Sequence, residues 1–92
     1  MSAASETVAI INQRGLHARA SAKFVNLVTL LPPDVDVKVR KDGVEAAGGS
    51  ILGLMMLGAA KGDTIEISVS GSDAEATLGR LSGLVKDGFG ED

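Results

Sequence analysis

The chain has 92 residues with a single histidine, no cysteine and a formal net charge of −3 at pH 7. This length predicts one domain, residues 1–92, whose core is aliphatic because only two residues are aromatic, both phenylalanine. The acidic balance and the shortage of aromatic side chains argue against a nucleic-acid binder, and one histidine without cysteine cannot build a usual zinc site, so we expect no metal and no cofactor.

The first third of the chain predicts one strand followed by one helix. Residues 6–12 are rich in Val and Ile and lead into turn-forming residues, which is typical of a strand. Residues 18–30 have a helical pattern that stops before two prolines. The apolar face of this helix, with spacings of three and four, is expected to comprise Ala18, Ala22, Val25 and Val28.

A hairpin is predicted next. Valines alternate with charged residues over 35–40, which is the pattern of a strand buried on one face. Residues 41–43 read Lys-Asp-Gly, a strong turn signal between two extended runs. Residues 44–47 are therefore expected to form a short strand that runs back along the first.

The segment after Ser50 is unusually apolar for its length. It predicts one or two helical turns, capped by Ser50 and stopped by Gly58. A helix this short cannot bury every apolar side chain on one side, and methionine adapts to varied partners. The expected partner surface comprises Ile51, Leu52, Met55 and Met56. The alternative is an ordinary arrangement with Ile51, Leu54 and Leu57 in the core and the other side chains as plain surface.

The last third predicts a strand and a helix. Apolar and polar residues alternate over 65–70, and residues 74–86 carry a helical pattern that Ser72 or Asp73 could cap. The order is therefore β-α-β-β-α-β-α. This order predicts an α+β two-layer open-faced sandwich, in which a four-stranded, mostly antiparallel sheet carries three helices on one face.

His17 is the candidate for chemistry. Gly15 permits a tight turn and the helical pattern begins at Ala18, so His17 is predicted at the helix N-cap. Backbone amides and the positive end of the helix dipole attract an anion there, and Arg19 adds a guanidinium. Two interpretations remain open from spacing alone: a nucleophilic imidazole that takes a phosphoryl group, or a histidine that only caps a helix.

Two stretches resemble the signatures of the HPr family, the histidine-containing phosphocarriers of the bacterial phosphoenolpyruvate-dependent phosphotransferase system. Residues 15–19 resemble the active-site signature, and residues 50–58 resemble the second signature, around a regulatory serine. The resemblance implies that His17 accepts a phosphoryl group from Enzyme I and passes it to a histidine of an Enzyme IIA protein. It also implies a phosphate site formed by the backbone of Ala18 and by Arg19, in a carrier that is not a stand-alone enzyme.

The same resemblance suggests how this carrier is regulated. Ser50 aligns with the serine that HPr kinase/phosphorylase modifies in some bacteria, so that kinase is a possible partner. The segments 54–57, 60–62 and 88–92 resemble the nitrogen-related, NPr-like branch, which favours a regulatory phosphotransferase system over sugar uptake. Ala20 stands where the family commonly has proline, which leaves the turn less rigid, and Ala20 is expected on the partner-facing surface.

Other classes of function remain as alternatives. A non-catalytic binding module could act through the apolar patch after Ser50, and a sugar-uptake HPr would share the same signatures. A small hydrolase is the weakest alternative because the chain has no G-x-S-x-G nucleophile elbow.

The expected location is the cytoplasm. The N-terminal residues lack the basic and apolar regions of a secretory signal. The longest apolar stretch, 51–60, is half of the roughly 20 residues that a helix needs to span a bilayer. A soluble monomer that binds neither membrane nor nucleic acid is therefore expected.

Overall fold

A computed structural model describes residues 2–91. The elements in chain order are β1 (Ser2–Ala9), α1 (Ala18–Thr29), β2 (Asp36–Lys41), β3 (Val44–Ala47), α2 (Ile51–Met56), β4 (Thr64–Gly71), α3 (Ala74–Lys86) and a short 3-10 turn (Gly88–Gly90). The predicted order β-α-β-β-α-β-α is confirmed, with the 3-10 turn as an addition. Within residues 2–91, every helix is too short or too polar to cross a membrane.

The sheet has the strand order β1-β4-β2-β3, and all neighbouring strands are antiparallel. Val39 of β2 pairs with Ile67 of β4 and with Ala46 of β3, while Val8 of β1 pairs with Ile65. These five side chains are buried because alternate residues of a strand share one face. The helices cover this apolar face, as predicted, and the opposite face carries the polar side chains of Asp36, Lys38, Arg40, Glu66 and Ser68.

The buried face of α1 differs from the prediction. Ala20, Ser21, Phe24 and Val25 are buried, whereas Ala18 is exposed, and Ala22 and Val28 are half-buried. The helix is turned so that Phe24, its largest side chain, enters the core, because burial of an aromatic ring gains more than burial of alanine methyls. The buried hydroxyl of Ser21 donates to the carbonyl of Leu16 at 3.2 Å, which removes the cost of burying it.

β1 begins four residues earlier and ends three residues earlier than the predicted span of 6–12. Its first half, made of serine and alanine, forms a strand because it pairs with β4 as far as Gly71. After Ala9 the chain leaves the sheet, and the amide of Ile10 donates to the carbonyl of Asp63 at 2.8 Å. The strand propensity of the local sequence does not predict where β1 begins or ends, because both ends depend on the pairing with β4.

The start of α3 is not capped as predicted. Asp73 occupies the N-cap position with φ +52°, and within the described chain its side chain makes no capping hydrogen bond. The amide and hydroxyl of Ser72 instead donate to the carboxylate of Asp34, at 3.0 and 3.2 Å. The Ser72 backbone amide, and then its hydroxyl, lower the pKa of Asp34. The residue before the N-cap is thus held by a contact across 38 residues.

Candidate functional site

The loop before α1 is attached to the loop after α2. Gly15 has φ +64°, and a Cβ atom there would overlap the carbonyl oxygen of Ala59. The next amide, that of Leu16, donates to the same carbonyl at 3.0 Å. Glycine is therefore required by both the backbone angle and the close approach. This turn places His17 immediately before the first residue of α1.

His17 is the N-cap residue of α1, as predicted. Its Nδ1 atom accepts a hydrogen bond from the backbone amide of Arg19 at 3.3 Å, and its Nε2 atom lies 2.6 Å from Oε2 of Glu91. An ionised carboxylate can only accept, so Nε2 carries the ring proton and Nδ1 carries the lone pair. The His17 side chain is 15% exposed to solvent. Nδ1 is therefore the ring nitrogen with nucleophilic character, and in this structure its lone pair accepts the bond from the Arg19 amide.

Sequence reasoning did not single out Glu91, nor Asn12 and Lys23 beside it. The amide of Asn12 donates to Oε1 of Glu91 at 3.1 Å. This bond is the largest cause of the lowered pKa of Glu91. Partial burial raises the pKa, whereas the hydrogen bond and charge of His17 and the charge of Lys23 lower it further. Because the pKa of Glu91 is lower in the folded state than its ordinary value of 4.5, the ionised carboxylate stabilises the fold fully above pH 4.5. This stabilisation is lost as the pH falls through the pKa of the folded state.

The C-terminal segment reaches His17 because Phe89 fixes it to the core. Phe89 has φ +58°, is 1% exposed, and is flanked by two glycines that also have positive φ. Its carbonyl accepts a hydrogen bond from Nζ of Lys23 at 2.6 Å. Two residues later, Glu91 meets a ring 74 residues away in sequence. No local pattern reports such a contact, and only the Gly-Phe-Gly run before it marks an unusual turn.

A shallow cavity of about 390 Å³ lies next to Arg19 and Glu91, the two residues that contact the His17 ring. Its lining comprises Gln13, Arg14, Arg19, Lys23, Gly90 and Glu91. Three cationic side chains against one carboxylate suit an anion, and the first-turn amides of α1 add donors without intrahelical partners. Arg19 lines this cavity, and Ala18 is the first residue of α1. Among residues 2–91, no group of three or more His, Cys, Asp or Glu side chains could hold a metal ion.

The apolar side chains of α2 divide between core and surface. Leu54 and Leu57 are buried, whereas Ile51 is exposed, so the alternative that assigns Ile51 to the core is wrong. The exposed fractions are 41% for Ile51, 68% for Leu52, 40% for Met55 and 75% for Met56. We call these four residues the α2 patch. The helix that carries it lies next to the loop before α1, residues 10–17, which we call the His17 loop. α2 packs against α1, and the carbonyl of Ala59, after α2, accepts a hydrogen bond from the amide of Leu16 in that loop.

Ala20 does not contribute to this surface. Its exposed fraction is 0%, so the expectation that it faces a partner is wrong. The small side chain lies in the core on the buried face of α1, next to Ser21.

Ser50 caps α2, as predicted, and its hydroxyl oxygen accepts a hydrogen bond from the amide of Gly53 at 2.9 Å. We expect Ser50→Ala to lower the free energy of unfolding by about 1 kcal/mol, because an N-cap acceptor is lost. Urea unfolding followed by circular dichroism measures this. Ser50→Asp keeps an acceptor and is the matched control, and an equal loss in both variants would contradict the cap as the cause.

Known proteins resemble this chain along nearly its full length. A family model described as "PTS HPr component phosphorylation site" matches residues 4–87. The phosphocarrier protein HPr of Neisseria meningitidis serogroup A is 42% identical over 86 residues, 94% of each chain. The phosphocarrier protein NPr of Escherichia coli K12 is 39% identical over 88 residues, which is 95% of this chain and 96% of that protein.

Solved structures agree with this likeness. HPr from Thermoanaerobacter tengcongensis has a TM-score of 0.89 at 34% sequence identity, covering 97% of this chain and 98% of its own. His17, Arg19 and Ser50 lie inside the range that the family model matches, whereas Glu91 lies outside it.

Proposed function

The chain belongs to the HPr family of phosphotransferase-system phosphocarriers, and on that premise we propose that His17 is the residue that carries the phosphoryl group. The donor is phosphorylated Enzyme I, and the acceptor is a histidine of an Enzyme IIA protein. One observation carries this assignment: Nε2 is bonded to Glu91, so the lone pair lies on Nδ1, at a helix start next to Arg19, which lines a cationic cavity.

The proposed transfer needs no proton movement on the His17 ring. The Nδ1 lone pair releases the 3.3 Å hydrogen bond from the Arg19 amide and attacks phosphorus. The P–N bond of the donor phosphohistidine breaks, and that electron pair returns to the donor imidazole. The His17 ring gains positive charge, which the carboxylate of Glu91 balances at Nε2. The phosphoryl oxygens meet the first-turn amides of α1, including that of Ala18, and the guanidinium of Arg19. Transfer to Enzyme IIA reverses these steps, so the carrier is regenerated.

Incubation with phosphoenolpyruvate, Mg²⁺ and Enzyme I tests the proposal. We expect an acid-labile, base-stable phosphoryl adduct that maps to the peptide containing His17, and no adduct when Enzyme I is omitted. A wild-type protein that gains no phosphoryl group, or gains it on another residue, would overturn the assignment.

We propose that the α2 patch receives the phosphotransferase partners. It is an exposed apolar surface on the helix next to the loop that carries His17, and apolar patches on small domains mark interaction sites. Met55→Asp should lower the rate of phosphoryl gain from Enzyme I about tenfold, mainly through KM, because a charge must be desolvated at the interface.

The matched control is Leu30→Asp. Leu30 is 80% exposed and lies at the far end of α1 from His17. Steady-state kinetics with Enzyme I in limiting amount compares the variants. Equal losses for Met55→Asp and Leu30→Asp would remove the α2 patch as the docking surface. If His17→Ala regulated a target normally while Met55→Asp did not, the non-catalytic binding module would replace the phosphocarrier proposal.

We further propose the regulatory, nitrogen-type system as the setting, with Enzyme I and a nitrogen-type Enzyme IIA as partners of a cytoplasmic monomer. The segments 54–57, 60–62 and 88–92 support this branch. Relatives named HPr and NPr match at 42% and 39% identity, so identity does not separate the branches. Transfer from the phosphorylated carrier to purified Enzyme IIA proteins of both types decides: faster transfer to a sugar-type protein would assign the chain to sugar uptake.

Regulation through Ser50 is the last part of the proposal. Ser50 is half-buried beside the α2 patch, so a phosphate there would add negative charge at the docking surface. Incubation with HPr kinase/phosphorylase and ATP should yield an acid-stable phosphoserine that Ser50→Ala lacks. Absence of that product would remove the kinase from the partners.

A further inference from the structure

We propose that Asn12 and Glu91 form a positioning pair, which keeps the His17 ring in its Nε2–H tautomer and balances the charge that the ring gains on phosphorylation. The inference rests on the proposed function of His17. It extends the site beyond the range that the family model matches, since Glu91 lies after residue 87.

The pair is built as a continuous chain of hydrogen bonds. One oxygen of Glu91 accepts from Nδ2 of Asn12 at 3.1 Å, and the other lies 2.6 Å from Nε2 of His17. Both carboxylate oxygens are thereby used, so the group cannot rotate away from the ring without losing a partner. Such a bridging carboxylate fixes the tautomer and the orientation of an imidazole.

Asn12 connects this carboxylate to the turn before His17. Asn12 is 2% exposed, and its Nδ2 atom also donates to the carbonyl of Gly15 at 2.9 Å. Among residues 2–91 its Oδ1 atom has no hydrogen-bond partner, so the two bonds from Nδ2 orient the amide. The role of Asn12 in the pair rests on these two donated bonds. The pair thus ties the backbone that presents the ring to the carboxylate that orients it.

The carboxylate is positioned by a rigid support. Phe89 is buried two residues before Glu91, and the bond from Lys23 holds the Phe89 carbonyl. The backbone next to Glu91 is therefore ordered by folding, and the contact with His17 costs only the rotamer entropy of the Glu91 side chain, about 1.5 to 2 kcal/mol. Fixing the segment in the core before the substrate arrives reduces what must be ordered during transfer.

The chemical consequence is clearest with a small donor that needs no protein docking. Phosphoramidate, as ⁺H₃N–PO₃²⁻, reacts with the neutral ring: its P–N bond breaks, ammonia leaves with the electron pair, and phosphorus bonds to Nδ1. The product ring keeps its proton on Nε2 and becomes cationic, so charge is conserved. A carboxylate at 2.6 Å from Nε2 is therefore more strongly bound after the transfer than before it.

The opposite role for Glu91 is an autoinhibitory contact. A carboxylate that lines the cationic cavity could occupy the place of an incoming phosphoryl group. Removal of Glu91 would then speed phosphoryl gain, whereas removal of a positioning residue slows it. The two roles predict rate changes of opposite sign.

The test compares wild type, Glu91→Ala, Glu91→Gln and Asn12→Ala. ¹⁵N NMR of the ring at alkaline pH, where histidine rings are neutral, measures the Nε2–H fraction. The rate with phosphoramidate measures the reaction. Glu91→Ala should lower both, the rate about ten- to hundredfold, as expected when a hydrogen bond to a charged group is lost. Glu91→Gln keeps an acceptor and should retain the tautomer with a smaller loss of rate, and Asn12→Ala should be intermediate.

Glu75→Gln is the matched control. It removes one negative charge from an exposed position at the opposite end of α3, and both readouts should stay at wild-type values. Unchanged tautomer and rate in Glu91→Ala would overturn the pair while His17 remained the carrier. A faster Glu91→Ala would establish autoinhibition instead. If wild type gained no phosphoryl group, the proposed function would fail, and the tautomer would still test the pair.

Discussion

Replacement of His17 by alanine is expected to abolish phosphoryl gain from Enzyme I, with a rate at least about a thousandfold below wild type. The reason is that the lone pair of Nδ1 forms the new bond, and the first-turn amides and Arg19 can stabilise a transferring phosphoryl group only when a nucleophile attacks it. Transfer of ³²P from labelled phosphoenolpyruvate, followed by gel separation, measures the loss.

His17→Asn is the matched control for structure. Asparagine is a good N-cap, so the acceptor that His17 supplies to the amide of Arg19 is retained while the nucleophile is lost. This variant should melt near the wild-type temperature and remain inert. His17→Ala should also stay folded, with about 1 kcal/mol lost at the cap. Retained phosphoryl gain in either folded variant would exclude His17 as the acceptor.

Gly15→Ala is expected to destabilise the fold by about 3 kcal/mol or more, which lowers Tm by roughly 10 to 20 °C in a domain of this size. Two costs add. The left-handed backbone angle costs about 1 to 2 kcal/mol for a residue with a Cβ. The new Cβ would overlap the carbonyl oxygen of Ala59 and lie 2.9 Å from Cα of Ala60, and backbone atoms cannot swing aside as a side chain does.

Gly58→Ala separates these two costs. Gly58 has the same φ of +64°, but a Cβ there meets no atom within 4 Å among the described residues. It should therefore cost only about 1 to 2 kcal/mol. Calorimetry measures the stability of both variants, and the difference between their losses is the cost of the close approach to Ala59. Similar melting temperatures for the two variants would show that the backbone around residue 15 moves to accommodate the new Cβ at little cost.

Gly15→Ala should also lower the rate of phosphoryl gain in the protein that remains folded. The displaced loop carries the amide of Leu16, which donates to Ala59, and leads directly into His17. A shift of about 1 Å in a reacting group can cost a factor of about a hundred in rate. Gly58→Ala should retain the wild-type rate.

The sequence by itself determined the features whose causes are local. Alternating valines predict β2, and the Asp-Gly turn predicts the hairpin to β3, because both patterns act within a few residues. The N-cap positions of His17 and Ser50 were predictable for the same reason, since a cap bonds to amides two or three residues away. Exposure of part of α2 followed from its length alone.

Only the tertiary structure decided which surfaces meet. The rotation of α1 follows from the fit of Phe24 into the core, and the limits of β1 follow from its pairing with β4. The contact between Glu91 and His17 spans 74 residues and depends on where Phe89 enters the core. Such contacts arise from the packing of separate elements, and no local pattern encodes them. The candidate histidine could therefore be predicted from the sequence, whereas the side chains that contact its ring could not.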